Sequence, residues 1–154
     1  MNRSSQPAVS PGIASARLAG APSAARWRTV LGVFKLRISV LIMATALGGL
    51  FIVPDVTVAP LQALVLALSV LLASASAGAF NQFIEADSDR LMARTRHRAF
   101  ASGALPRSGG WLLGIVALLV FAVGLSAAFV NTTAAVYVLL GALTYAGVYT
   151  LGLK

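Results

Sequence analysis

The sequence predicts an all-α fold, a polytopic bundle of transmembrane helices. Hydrophobic residues make up 58% of the 154 and charged residues only 10%, whereas a soluble domain is about a quarter charged. Mean hydropathy is +0.88. Four long apolar stretches each come close to the ~20 residues a helix needs to cross a bilayer core. Nothing alternates like a barrel strand, so helices must satisfy the backbone in lipid.

Residues 1–27 are rich in Ser, Ala, Pro, Gly and Arg and contain no acid. They read as a flexible, basic cytoplasmic tail, although a mitochondrial presequence has a similar composition. The first span covers 29–53 and is entered through Lys35 and Arg37. The second, 58–80, carries no charge. Spans three and four cover 110–130 and 133–153. The connectors 54–57 and 131–132 are short, so neighbouring spans form antiparallel hairpins. Residues 81–109 make a long polar loop between spans two and three.

The twelve Lys and Arg residues fix the orientation. Six lie before or just inside the first span, five lie in the 81–109 loop, and Lys154 closes the sequence. The positive-inside rule then puts the N-terminus and the 81–109 loop in the cytoplasm. A net charge of +8 prompts a test for nucleic-acid binding. The arginines lie at the membrane face with no recognition module, so anionic membrane lipid is the expected partner and nucleic acid is not. There is no cysteine, which excludes disulfides and thiolate metal sites.

The stretch NQFIEADSDRLMARTRHRAF, residues 81–100, holds three of the four acidic residues and four arginines. If the second helix continues past Phe80, then Asn81, Glu85 and Asp89 share one face at i, i+4 and i+8. Asp87 points elsewhere. Two carboxylates at this spacing repel unless a cation lies between them. Mg²⁺ favours oxygen ligands and is often held by one or two carboxylates plus substrate phosphates. Arg94, Arg96 and Arg98 can fork onto phosphate oxygens. Acid for a metal and arginine for phosphate, at the mouth of a membrane cavity, suggest a lipid diphosphate. The competing reading is plain: juxtamembrane arginines set topology and touch headgroups, and the acids are weak surface partners. Spacing alone leaves both open.

Other features favour packing. Ser74–Gly78 reads SASAG, Gly48 and Gly49 are paired, and Gly110 and Gly114 form a GxxxG; small residues let membrane helices approach closely. Tyr145 and Tyr149 either pack or line a cavity for an apolar tail. His97 reads as a solvated loop residue, not a haem or metal ligand.

The 81–100 stretch resembles the first aspartate-rich motif of the intramembrane aromatic prenyltransferases, N-x-x-x-D-x-x-x-D. It is most similar to the haem-farnesylating branch, through Asn81, Glu85, Asp87, Asp89, Met92, Arg94, Thr95 and Arg98. Residues 34–50, FKLRISVLIMATALGGL, resemble the family's first helix, and the likeness extends over about 30–154. Ala99 and Leu36 stand where the family usually has proline, and Ser88 where an apolar residue is usual. The resemblance implies farnesyl transfer from farnesyl diphosphate to a vinyl group of haem b. It also implies Mg²⁺ held by Glu85 and Asp89 with Asn81 assisting. Asp87 either joins the metal or holds an arginine, and Arg94, Arg98, Lys35 and Arg37 bind the diphosphate. Family members have about nine helices in two halves and a second aspartate-rich motif. Four spans match the N-terminal half, so a second half, in the same or a partner chain, is expected. The resemblance also implies a bacterial inner membrane or, alternatively, a mitochondrial one. A quinone or chlorophyll-precursor acceptor and a non-catalytic membrane fragment are the competing readings.

Overall fold

The computed structural model describes residues 23–52 and 58–149. Six α-helices follow in order: α1 Ser23–Val33, α2 Leu36–Ile52, α3 Pro60–Ile84, α4 Ala86–Leu91, α5 Gly109–Phe129 and α6 Thr132–Thr144. A π-helical turn, Tyr145–Tyr149, continues α6. Among the described residues there is no strand, in keeping with the all-α expectation.

Helix α3 is the central post and packs against α2, α5 and α6. Its sequence explains this. Ser69, Ala73, Ala75, Ser76, Ala77, Gly78 and Ala79 are buried, and their small side chains let neighbouring backbones approach closely. Ser76 Oγ donates to the Ile115 carbonyl at 2.7 Å and ties α3 to α5. One cluster joins Ala73, Ala77, Ala122, Val138 and Ala142 across α3, α5 and α6. A second lies at the polar end and joins Val33, Phe83, Phe100 and Ile115. Outward faces stay apolar: Leu64, Leu113, Val120, Phe121 and Phe129 are exposed, as lipid-facing side chains are.

Helices α3 and α5 are each long and apolar enough to cross a membrane. A third span arises if α1 and α2 are taken together, bent by 48° at their junction. The apolar run Thr132–Gly147 is shorter, and the end of the expected fourth span, 150–154, lies outside the described residues, as does the connector 54–57. Asn131 caps α6, its Oδ1 accepting from the Ala134 N–H at 2.6 Å.

Two sequence expectations change. The stretch read as tail is helical from Ser23 onwards; residues 1–22 lie outside the described residues. The first span is not one straight helix, because Lys35 adopts φ +46°. A left-handed conformation costs an L-residue about 1–2 kcal/mol, so tertiary contacts must hold this break. Leu36, in the family's proline position, begins α2, where proline would fit as the first helical residue.

Candidate active site

The second helix does continue past Phe80, as α3 to Ile84. Glu85 sits at the junction with α4, yet the helical ladder survives it. Glu85 N–H donates to the Asn81 carbonyl at 2.9 Å, and Asp89 N–H to the Glu85 carbonyl at 2.8 Å. Asn81, Glu85 and Asp89 therefore keep i, i+4 register across the break.

Residues 92–108 form a chain of turns. Thr95 and Arg96 N–H groups both donate to the Met92 carbonyl, and Thr95 Oγ1 donates to the Asp89 carbonyl at 3.2 Å. Gly103 takes φ +76°, which suits glycine. Phe100 is the plug: 1% exposed, it meets the Phe83 and Trp111 rings edge-on at 5.5 and 5.6 Å. The plug folds Arg98 back onto the helices.

Arg98 Nη1 donates to both oxygens of Asp89, at 3.0 and 2.8 Å, and lies 3.9 Å from Glu85 Oε2. One nitrogen makes all these contacts; Nε and Nη2 of Arg98 have no partner among the described residues. Lys35, half-buried, is within electrostatic reach of Arg98, Glu85 and Asp89. Its stem lies against α3 at Gly78, where a Cβ would sit 3.7 Å from Lys35 Cβ and Cδ. Two positive and two negative side chains thus interact electrostatically. Beside them, Asn81 is 1% exposed, and neither its Oδ1 nor its Nδ2 has a hydrogen-bond partner among the described residues. Buried polar atoms are nearly always partnered, so an orphaned amide on the carboxylate face is a candidate ligand contact; the Ser69 and Ser126 hydroxyls, also without partners among the described residues, lie deeper among apolar side chains.

The remaining predicted residues are arranged differently. Asp87 turns away, 2.7 Å from Arg107 and 3.5 Å from Arg90. Arg107 also covers the Phe83 ring at 5.2 Å, and Arg90 Nε donates to the Ala101 carbonyl at 3.0 Å. Asp87 is therefore brought together with arginines and not with Glu85 and Asp89. Arg37, Arg94, Arg96 and His97 are exposed, and none pairs with the acids among the described residues. No three His, Cys, Asp or Glu side chains gather as a metal cluster among those residues. Asp87→Asn should cost less than about 1 kcal/mol, the range of exposed ion pairs, and leave ligand affinity within about twofold of the parent; thermal scans and titration check this.

Below the polar group lies an apolar cavity of about 410 Å³, bounded by Ile42 and Ala46 of α2, Val70, Ala73 and Ala77 of α3, and Tyr137 of α6. Tyr145 lines it too; the Tyr149 side chain lies outside what the structure describes. Ala73, Ala77 and Asn81 stand at successive i+4 positions of α3. The cavity and the orphaned amide therefore share a face, with Asn81 about 6 Å beyond Ala77 along the axis. An apolar slot one helical turn from a cluster of charged side chains suits the tail of an amphiphile with an ionic head.

The profile of the UbiA prenyltransferase family matches residues 42–154. The chain belongs to this family. It is an integral membrane protein by its apolar helices and its family. Its relatives include protoheme IX farnesyltransferase 2 of Paramagnetospirillum magneticum, 43% identical over 130 residues, 84% of this chain and 45% of the relative. The protoheme IX farnesyltransferase of Rhizorhabdus wittichii is 36% identical over 132 residues, 86% of this chain and 43% of the relative. That of Gloeobacter violaceus is 41% identical over 121 residues, covering 78% and 39%. The chain spans less than half the length of these curated relatives. No solved structure matches it at the same stringency. Profile and relatives both cover the 81–100 motif, so the UbiA assignment includes the site and not the helices alone.

Gln82 and Phe100 are the site-building residues that sequence reasoning missed. A polar residue next to Asn81 in an otherwise apolar helix was the available signal for Gln82. Nothing marks a lone phenylalanine in an arginine-rich turn.

Proposed function

We propose that this chain forms the N-terminal half of a protohaem IX farnesyltransferase. The reaction transfers farnesyl from farnesyl diphosphate to a vinyl group of haem b, water adding the hydroxyl, and gives haem O and diphosphate. The observation that carries the proposal is the orphaned Asn81 amide beside Glu85 and Asp89, above an apolar cavity. The names of the relatives support the acceptor. The cavity volume falls within the range of about 300–1,000 Å³ usual for small-molecule sites, and its lining suits an isoprenoid tail.

Mg²⁺ fits the donor set of Asn81, Glu85 and Asp89, two carboxylate groups and an amide oxygen. Such hard oxygen ligands leave further positions for diphosphate oxygens. When bound, the ion neutralises negative charge on the departing diphosphate. This chain's own residues do the rest. Arg98 has guanidinium N–H groups to spare for the diphosphate, and Lys35 adds a second cation. Because Mg²⁺ offsets most of the diphosphate charge, the pair adds little net charge to a site whose four charged side chains cancel. The apolar slot keeps water from the allylic carbon while charge develops there. Arg94 and Arg37, both exposed, add positive potential that guides the anionic head inwards. Asp87 pairs with Arg107 and Arg90 at the surface, apart from the diphosphate.

The proposed orientation has the N-terminus and the 92–108 turns on the cytoplasmic side of a bacterial inner membrane, as the basic residues indicate. The second half of the membrane domain, in the same or a partner chain, would complete the cavity and supply the porphyrin contacts. The proposal is tested with membranes containing the protein together with the second half of its membrane domain, Mg²⁺, labelled farnesyl diphosphate and haem b. Mass spectrometry should find labelled haem O. Labelled product from 4-hydroxybenzoate, with none from haem, would instead assign a quinone-precursor acceptor.

A further inference from the structure

Gln82 is 4% exposed and sits one residue after Asn81. Its side chain faces α1, and not the carboxylates. Nε2 donates to the Gly32 carbonyl at 3.1 Å and to the Val33 carbonyl at 2.9 Å. These carbonyls belong to the last turn of α1; that of Gly32 also accepts, at 3.5 Å, from the Lys35 N–H, while that of Val33 has Gln82 as its donor among the described residues. Immediately after them the chain breaks and Lys35 enters the left-handed region. The break is supported from its far side as well: Ile38 and Ser39 N–H groups donate to the Lys35 carbonyl at 2.9 and 3.2 Å, and Ser39 Oγ donates to the Phe34 carbonyl. Leu36 and Phe34, the residues flanking Lys35, supply no glycine or proline to set the turn. Gln82 is the residue of α3 that grips it.

We infer that Gln82 is a positioning residue: its amide clamps the end of α1 to α3 and holds the Phe34–Lys35 turn so that Lys35 faces Glu85, Asp89 and Arg98. The inference deepens the proposed function and rests on it for the role of Lys35 toward diphosphate. The placement of Lys35 by Gln82 stands on the contacts alone. Asn81 and Gln82 divide the work of one helical turn. Asn81 faces the ligand, and Gln82 brings in the cation from a segment about fifty residues earlier.

The sequence supplies the assay. Lys35 and Lys154 are the only lysines. The full chain in lipid nanodiscs is treated with a water-soluble amine-acetylating reagent, and the Lys35/Lys154 modification ratio is read by mass spectrometry. Gln82→Met keeps the size and loses the donors; Gln82→Glu keeps the shape and sets an acceptor against two carbonyls. Either should raise the ratio about fivefold, the equivalent of one net hydrogen bond. A second readout is Mg²⁺-dependent affinity for inorganic diphosphate. Gln82→Met should weaken it about fivefold in the parent chain and not at all in a Lys35→Met background. An unchanged ratio in folded variants, or an equal loss of affinity in both backgrounds, overturns the inference and leaves Gln82 a packing residue. If the parent chain binds no diphosphate with Mg²⁺, the proposed function falls, and the labelling ratio still decides whether Gln82 places Lys35.

Discussion

Replacing Glu85 and Asp89 together by alanine is expected to weaken Mg²⁺-dependent farnesyl diphosphate binding at least a hundredfold, about 3 kcal/mol or more for two charged contacts. Membrane insertion should be unaffected, because both residues lie at the polar end of α3 and beyond it. The single variants should separate affinity from stability. Glu85 is 3.9 Å from Arg98, so Glu85→Ala loses a distant attraction and its melting temperature should barely move. Asp89 accepts two close contacts from Arg98 and is 6% exposed at its side chain. Removing one partner of a buried pair costs about 3–5 kcal/mol. Arg98 is partly exposed and can find water, so about 2 kcal/mol is the expected loss for Asp89→Ala. Calorimetric titration with and without Mg²⁺, and thermal scans in the same nanodiscs, provide both numbers. Parent-like binding in the double variant would remove the metal role of these carboxylates.

Phe100→Ala is expected to produce the largest loss of stability. The ring is enclosed by Phe83, Trp111 and the rest of the cluster at the end of the bundle. Truncating a buried phenylalanine costs about 3–5 kcal/mol. The loss has a functional reading, because Phe100 anchors the turn that brings Arg98 to Asp89. Trypsin should then cut at Arg94, Arg96 and Arg98 much faster than in the parent, and ligand affinity should fall with it. Phe100→Leu, which keeps most of the apolar volume, should restore much of both. Unchanged proteolysis in Phe100→Ala would mean that the arginine turn is held by its own hydrogen bonds.

Some of this was legible in the sequence for definite physical reasons. The carboxylate face followed from helical periodicity, since Asn81, Glu85 and Asp89 recur every four residues and the backbone ladder keeps them aligned. The membrane character followed from composition. Arg98 was named with Arg94 and Arg96 as one of three loop arginines, and Lys35 as a phosphate ligand only through family resemblance, because nothing in their local spacing says which of the basic residues reach the acids. The structure brings in Lys35 and Arg98 and leaves Arg37 and Arg94 at the surface. The bend at Lys35 was not legible, because no proline or glycine marks residues 34–36 and a left-handed lysine is sustained by contacts from α3. Gln82 was missed for the same reason: its partners lie 49 and 50 residues away. Asp87 shows where spacing and resemblance divide: helical spacing turns it off the shared face, whereas the resemblance allows it at the metal. It belongs to the acidic run, yet the nearest arginines across the turn take its carboxylate.

The most direct measurement is a titration of the full chain in lipid nanodiscs with a non-reactive farnesyl diphosphate analogue, with and without Mg²⁺. Saturable binding that requires Mg²⁺, and that disappears in the Glu85→Ala/Asp89→Ala variant, is the predicted result. Absent binding, or binding indifferent to Mg²⁺ and to both carboxylates, would contradict a metal–diphosphate site at Asn81, Glu85 and Asp89.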